Sequence, residues 1–158
     1  AKRPNTADVH AKEKEDRMQK SQKILLTWLI EDEEVFRQIG QYITPADFSG
    51  DLYRTVASLL YEQYAEGQVN PAKIMNHFTD EEEHREVASL FHTKIRELTT
   101  QGEQEKALKE TLIRVKNHSI DEAVKSLDPM DMKGLQLLMN AKRELKDLQK
   151  LHISINKG

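Results

Sequence analysis

Glu81-Glu82-Glu83-His84 contains a Glu-x-x-His unit, Glu81 and His84. Di-iron four-helix proteins use that spacing to project a carboxylate and an imidazole from one helix face. Such a centre needs a second copy of the unit and two more glutamates on facing helices. The chain holds no second Glu-x-x-His, so no metal ligand is expected. His77, His84 and His92 recur at seven and eight residues, which one helix face could align, but Thr79 restarts the helix between the first two. Exposed or half-buried histidines explain them better. The run Asp80 to Glu83 reads as first-turn charge opposing a helix dipole. Cysteine is absent, which removes disulfides, thiolate metal sites and thiol nucleophiles. There is no glycine-rich phosphate loop, His-Glu-x-x-His, Gly-x-Ser-x-Gly or aspartate-rich calcium loop. No catalytic residue and no cofactor are therefore expected within these 158 residues.

Nucleic-acid binding is equally poorly supported. The net charge is −3 and the pI about 6.1, where a duplex-binding surface normally shows a basic excess. Lys142, Arg143, Lys146 and Lys150 line one side of the last helix, but Glu144 and Asp147 interleave with them. No aromatic residue follows Gly102, so nothing there could stack on bases. The charge is nonetheless segregated: +3 over residues 1–23, −8 over 24–98 and +2 over 99–158, an acidic body between two mildly basic segments. The longest apolar run, Ile24 to Ile30, is interrupted by Thr27 and is far short of the roughly 20 residues of a membrane helix. A soluble, cytoplasmic, monomeric protein is expected. The opening Lys2-Arg3-Pro4-Asn5-Thr6 reads as a linker, which suggests a piece of a longer chain.

The elements that position these residues are helical. Thr44-Pro45-Ala46-Asp47, Thr79-Asp80-Glu81-Glu82 and Thr100-Gln101-Gly102-Glu103 each put a hydroxyl three residues before a carboxyl group, as a helix N-terminus wants. Asn70-Pro71 and Asp128-Pro129 supply a capping side chain before a first-turn proline. Gly40 and Gly67 stand where left-handed C-caps should be. Apolar spacing between these marks predicts an all-α fold with helices at 8–31, 33–39, 51–66, 71–78, 80–98, 103–127 and 130–152.

The expected organisation is a linker and first-helix start over 1–20, a helical bundle over 8–98, and a long helix with a C-terminal helical hairpin over 99–158. Leu25, Trp28, Leu29, Phe36, Ile39, Phe48, Val56, Leu60, Ile74, Phe78, Leu90 and Phe91 are the candidate core. The hairpin seam is expected to join Leu108, Leu112, Val115, Val124 and Leu127 to Leu138, Ala141, Leu145 and Leu148, with Asn117-His118-Ser119 a weak point in the long helix. One seam buries too little to offset ordering some 50 residues at about 1–2 kcal/mol each. Met130, Met132, Leu135, Leu137, Met139 and Leu151 also remain over. Either that surplus folds back on the bundle, or it meets another protein.

Tyr42-Ile43-Thr44-Pro45-Ala46-Asp47-Phe48-Ser49-Gly50-Asp51-Leu52-Tyr53-Arg54-Thr55-Val56, followed by Leu59-Leu60-Tyr61-Glu62 and Gly67, resembles a pattern shared by two bacterial replication modules. These are the C-terminal helicase-binding domain of DNA primase (DnaG) and the N-terminal domain of the replicative helicase (DnaB). Gln22 to Ile30 is similar to their first core helix, and Asp80 to Glu83 with Val87, Leu90 and Phe91 to the last bundle helix, so the likeness covers most of residues 20–152. The basic lead before Ile24, the missing Leu-Gly pair in Ile24 to Ile30 and the Lys/Glu/Leu texture of Leu135 to Leu151 favour primase. The helicase domain and an unrelated helical adaptor are the alternatives. The resemblance implies a non-enzymatic domain that docks primase on the hexameric helicase DnaB and modulates it, while the parent's zinc and magnesium serve domains elsewhere. From the apolar surplus and its neighbours, the candidate contact face is Leu135, Leu138, Met139, Lys142, Arg143, Leu145 and Leu148. In the bundle, Asp47, Tyr53 and Arg54 are the candidates.

Overall fold

The computed structural model describes residues 6–92 and 100–155, the side chains at 9–91 and 100–155 among them. Seven α-helices and one 3-10 turn make up the described residues: α1 (Thr6–Glu31), α2 (Glu33–Ile39), the turn Pro45–Asp47, α3 (Asp51–Glu66), α4 (Pro71–His77), α5 (Glu81–His92), α6 (Gln101–Ser126) and α7 (Met132–Lys150). There is no strand among them, and no helix long and apolar enough to cross a membrane. The all-α expectation holds. The expected continuation of α5 to residue 98 lies outside the described residues.

Local chemistry explains where the helices begin. The Asp32 carboxylate accepts from the Glu34 and Val35 N–H groups, and Asn70 accepts from Lys73 N–H. The Thr100 hydroxyl accepts from Glu103 N–H. At Thr44 the expected capping box with Asp47 forms, and it opens a single 3-10 turn that stops where Phe48 turns extended and is completely buried; α3 then starts after Gly50, at φ 88°, on the expected residue 51. Two expected starts need correction. At α5 the cap is Asp80, which accepts from Glu83 N–H at 3.1 Å, in place of Thr79. At α7 Asp128 closes a short turn onto Met130 N–H, and Asp131 caps the helix through Gly134 N–H.

Gly67 ends α3 in the left-handed region (φ 99°), as expected. Gly40 does not: its φ is −60°. Close approach accounts for glycine there, since a Cβ would stand 2.5 Å from the Phe36 carbonyl oxygen.

One hydrophobic core runs through the molecule. Leu25, Leu29, Ile39, Phe48, Val56, Leu60, Ile74 and Leu90 are completely buried in it. Phe36 and Phe91 are only partly buried, packed against it. Phe36 stacks on Tyr64 with centroids 3.8 Å apart and meets Tyr61 edge-on. The core continues past residue 99: Leu108, Leu112, Val115, Leu148, Ile153 and Ile155 belong to the same cluster. The hairpin seam therefore needs correction. α6 packs along α1, and its Leu108, Leu112 and Val115 are part of the bundle core, whereas Val124 is 45% exposed. An α-helix of 26 residues has room for both jobs, one stripe facing α1 and another facing α7. Asn117, His118 and Ser119 are helical, so α6 is unbroken at the expected weak point.

Buried polar groups stitch distant segments together. The Gln22 carboxamide, fully buried, donates to the Ser49 carbonyl at 3.2 Å and accepts from Ser49 N–H at 2.6 Å. Tyr64 donates to the Leu29 carbonyl and Tyr61 to the Ile43 carbonyl. Arg114 of α6 donates to the Ser21 hydroxyl of α1 at 2.9 Å. No described buried side-chain nitrogen or oxygen lacks a partner, as a uniquely packed interior requires.

Candidate docking surface

The C-terminal hairpin is built from α6, the turn through Leu127 to Asp131, and α7. The turn is held by the caps of Asp128 and Asp131. Gly134 lets the Asp131 carboxylate fold over the first turn of α7, since a Cβ there would stand 2.5 Å from Asp131 Oδ2. On α7 the positions 138, 141, 145 and 148 recur at three- and four-residue steps, which keeps them on one face. Leu138, Ala141 and Leu145 are half-buried, and Leu148 is completely buried.

The remaining apolar residues are largely exposed. Met130 is 85% exposed, Met132 72%, Leu137 69% and Met139 51%. Leu135 joins them at the exposed margin, and Lys142 and Arg143 are exposed farther along the helix. Met132, Leu135 and Met139 follow a three- and four-residue spacing, continued by Lys142 and Lys146, so they form a flank stripe beside the seam. Beyond that stripe, Leu137, Leu138 and Ala141 join Ile120 and Ala123 of α6 and Leu127 of the turn around a groove of about 400 Å³ that Asp47 also borders.

The expected contact face thus divides. Leu135, Met139, Lys142 and Arg143 are at the surface; Leu138 and Leu145 face inward toward α6; Leu148 is corrected to a core residue, since it lies at 0% exposure among the bundle's side chains. Periodicity carried that signal, because Leu138, Leu145 and Leu148 also belong to the expected seam and one helix face cannot serve both purposes. Met130, Met132 and Leu137, noted as surplus but left out of the expected face, are its most exposed members.

The three bundle candidates do not form one site. Asp47 is turned toward α6: its carboxylate accepts from Thr44 N–H (2.8 Å), Lys116 Nζ (3.2 Å) and Ser119 Oγ (2.7 Å). Tyr53 is turned toward α5 and donates to Glu86 Oε1 at 2.9 Å, with Lys23 Nζ 3.8 Å from the same oxygen. Burial, then the Glu86 carboxylate, push the Tyr53 hydroxyl well above its ordinary range. Arg54 is exposed, its nearest acidic partner being Asp51 at 3.8 Å. Glu81, Glu82, Glu83 and His84 are exposed on the first turn of α5. Among the described residues, no three His, Asp or Glu side chains are grouped closely enough to hold a metal ion.

Compared with protein-family models, curated proteins and solved structures, the chain matches none.

Proposed function

We propose that this chain is a docking module, the helicase-binding domain of a bacterial DNA primase, which seats the parent enzyme on the N-terminal collar of the hexameric replicative helicase DnaB. The observation that carries the docking role is the apolar surface of the hairpin: Met130, Met132, Leu137 and Met139 stay between half and five-sixths exposed in a chain whose other large apolar side chains are mostly packed. Met132, Leu135 and Met139 form one exposed apolar stripe along α7, and exposed apolar surface of this kind marks a protein contact; an amphipathic helix presented to a hydrophobic groove is a common way to make one. Methionine side chains adapt to the partner's shape. The choice of partner rests on the sequence likeness over Tyr42 to Val56 and on the order of a bundle followed by a helical hairpin.

In this reading the chain performs no chemistry. It raises the local concentration of primase at the replication fork by tethering it to a ring that encircles DNA. If it favours one arrangement of the helicase collar, the helicase must respond by the same coupling free energy. The contacting side chains are Met132, Leu135 and Met139, with Lys142 and Arg143 continuing the stripe.

Calorimetric titration of the chain against purified DnaB hexamer tests the reading. Binding at micromolar concentration is expected, weakened at least tenfold by the double substitution Leu135→Asp and Met139→Asp with an unchanged circular dichroism spectrum. Absence of binding by the native chain overturns it. Self-assembly of the chain into rings would point instead to the helicase N-terminal domain.

A further inference from the structure

After α7 the chain stays on the fold. Leu151 ends the helix in an extended conformation (φ −69°, ψ 134°). Burial then alternates: His152 exposed, Ile153 buried, Ser154 exposed, Ile155 buried, the period-two pattern of an extended segment. Side chains from two helices read its backbone. Gln38 of α2 donates from Nε2 to the Ser154 carbonyl at 2.8 Å and accepts from Ser154 N–H, also at 2.8 Å. One carboxamide thus supplies both bonds that a neighbouring strand would make. At the start of α6, Glu105 accepts from Ile155 N–H at 2.8 Å, and Gln101 donates to the Ile155 carbonyl.

Four main-chain groups on two consecutive residues are therefore satisfied by side chains, and two isoleucines are inserted to 2% and 1% exposure. That combination is how extended peptides are recognised, whereas a segment with no such anchors frays. It matters for α7, which packs chiefly on α6 and has Leu148 as its one completely buried residue. The segment beyond it is the second anchor.

We infer that the groove between α2 and the start of α6 is a peptide-binding site for an extended apolar-x-apolar segment, filled here by residues 152–155 as a tethered ligand that clamps the base of α7 to the bundle. Recognition is strict at 153 and 155, whose side chains are inserted, and tolerant at 154, where only the backbone is held. A free segment of the same chemistry competes with the tether for the groove.

Ser154→Pro tests the clamp, because it removes the N–H that Gln38 accepts while leaving both isoleucines; Ser154→Ala keeps that N–H and is the control. By hydrogen exchange on the full chain, amides in the last turns of α7 should exchange on the order of tenfold faster in Ser154→Pro, with α3 and α4 unchanged and Ser154→Ala like the native chain. The groove is tested in trans, by adding a labelled peptide of residues 149–158 to the Ile153→Asp, Ile155→Asp double variant. The peptide should bind and protect the groove's own amides in α2 and the first turns of α6, and the same peptide carrying both aspartates should not. If circular dichroism shows the double variant unfolded, the peptide is added to Ser154→Pro under the same criterion. Native exchange of α7 in Ser154→Pro, or no peptide binding at millimolar concentration, overturns the inference.

Discussion

Lys116 Nζ lies 3.2 Å from Asp47 Oδ2, and only 8% and 11% of the two side chains' surfaces are exposed. Ser119 donates to the other carboxylate oxygen and Thr44 N–H to the same one. The 3-10 turn is thereby fastened to the middle of α6, across 69 residues of sequence.

Removing one partner of so buried a pair leaves the other charge uncompensated, a loss of about 3–5 kcal/mol. Asp47→Ala should therefore lower Tm by roughly 6–20 °C in thermal unfolding. The double substitution Asp47→Leu with Lys116→Met should recover most of that loss, because an apolar pair of similar volume needs no solvation. If Asp47→Ala is as stable as the native chain, the ion pair does not hold the turn.

The two faces of α7 should separate cleanly. Leu148→Ala deletes a fully buried side chain and should cost about 2–5 kcal/mol. Met132→Asp and Met139→Asp lie at the surface and should change stability by no more than about 0.5 kcal/mol. Urea unfolding of the three variants measures this, and equal losses at 132 and 148 would contradict the assignment of faces.

Three tyrosines make the fold sensitive to base. Burial, then Glu33 and Asp32, raise the Tyr64 hydroxyl to about 12, and Tyr53 and Tyr61 are pushed up further, each chiefly by burial. A raised folded-state value means the neutral form is favoured by folding. The contribution is fully present below the ordinary tyrosine value near 10 and is lost as pH climbs through the raised values. Stability followed by circular dichroism should fall above about pH 10, and Tyr64→Phe should flatten that fall while losing its bond to Leu29.

At the acid end the sign reverses. Glu105 is held below the ordinary carboxylate range, first by the Ile155 N–H, then by Gln101 and the charge of His152. A lowered folded-state value favours the carboxylate, so the tail's attachment is supported above the ordinary value and weakens as pH falls through the lowered one. The Ile155 amide should lose exchange protection on acidification, corrected for intrinsic rates. Glu105→Gln should remove that dependence.

Helix number and placement were legible because caps and apolar spacing are local. Boundaries failed where two capping residues competed, Thr79 with Asp80 and Asp128 with Asp131; each can accept an N–H, and only the folded backbone decides. Lys116 and Gln22 were unreadable for a different reason. Each is buried against a partner far along the chain, at Asp47 and Ser49, and helical spacing says nothing of pairs so distant. The surface of α7 was partly legible: its apolar surplus could be counted, but assigning Leu148 to it required knowing that the core extends that far. Ile153 and Ile155 gave no sequence signal, since two isoleucines carry no helical period.

The uneven burial of α7 has a mechanical meaning. Its fulcrum is Leu148, and Met132 sits 16 residues away, a lever arm of about 24 Å. A tilt of about 5° around that fulcrum carries Met132 through about 2 Å while Leu148 itself scarcely moves. Accuracy is thus concentrated at the base and compliance at the tip, so whatever meets the methionines can adjust the arm by ångströms without prising open the interior that supports it.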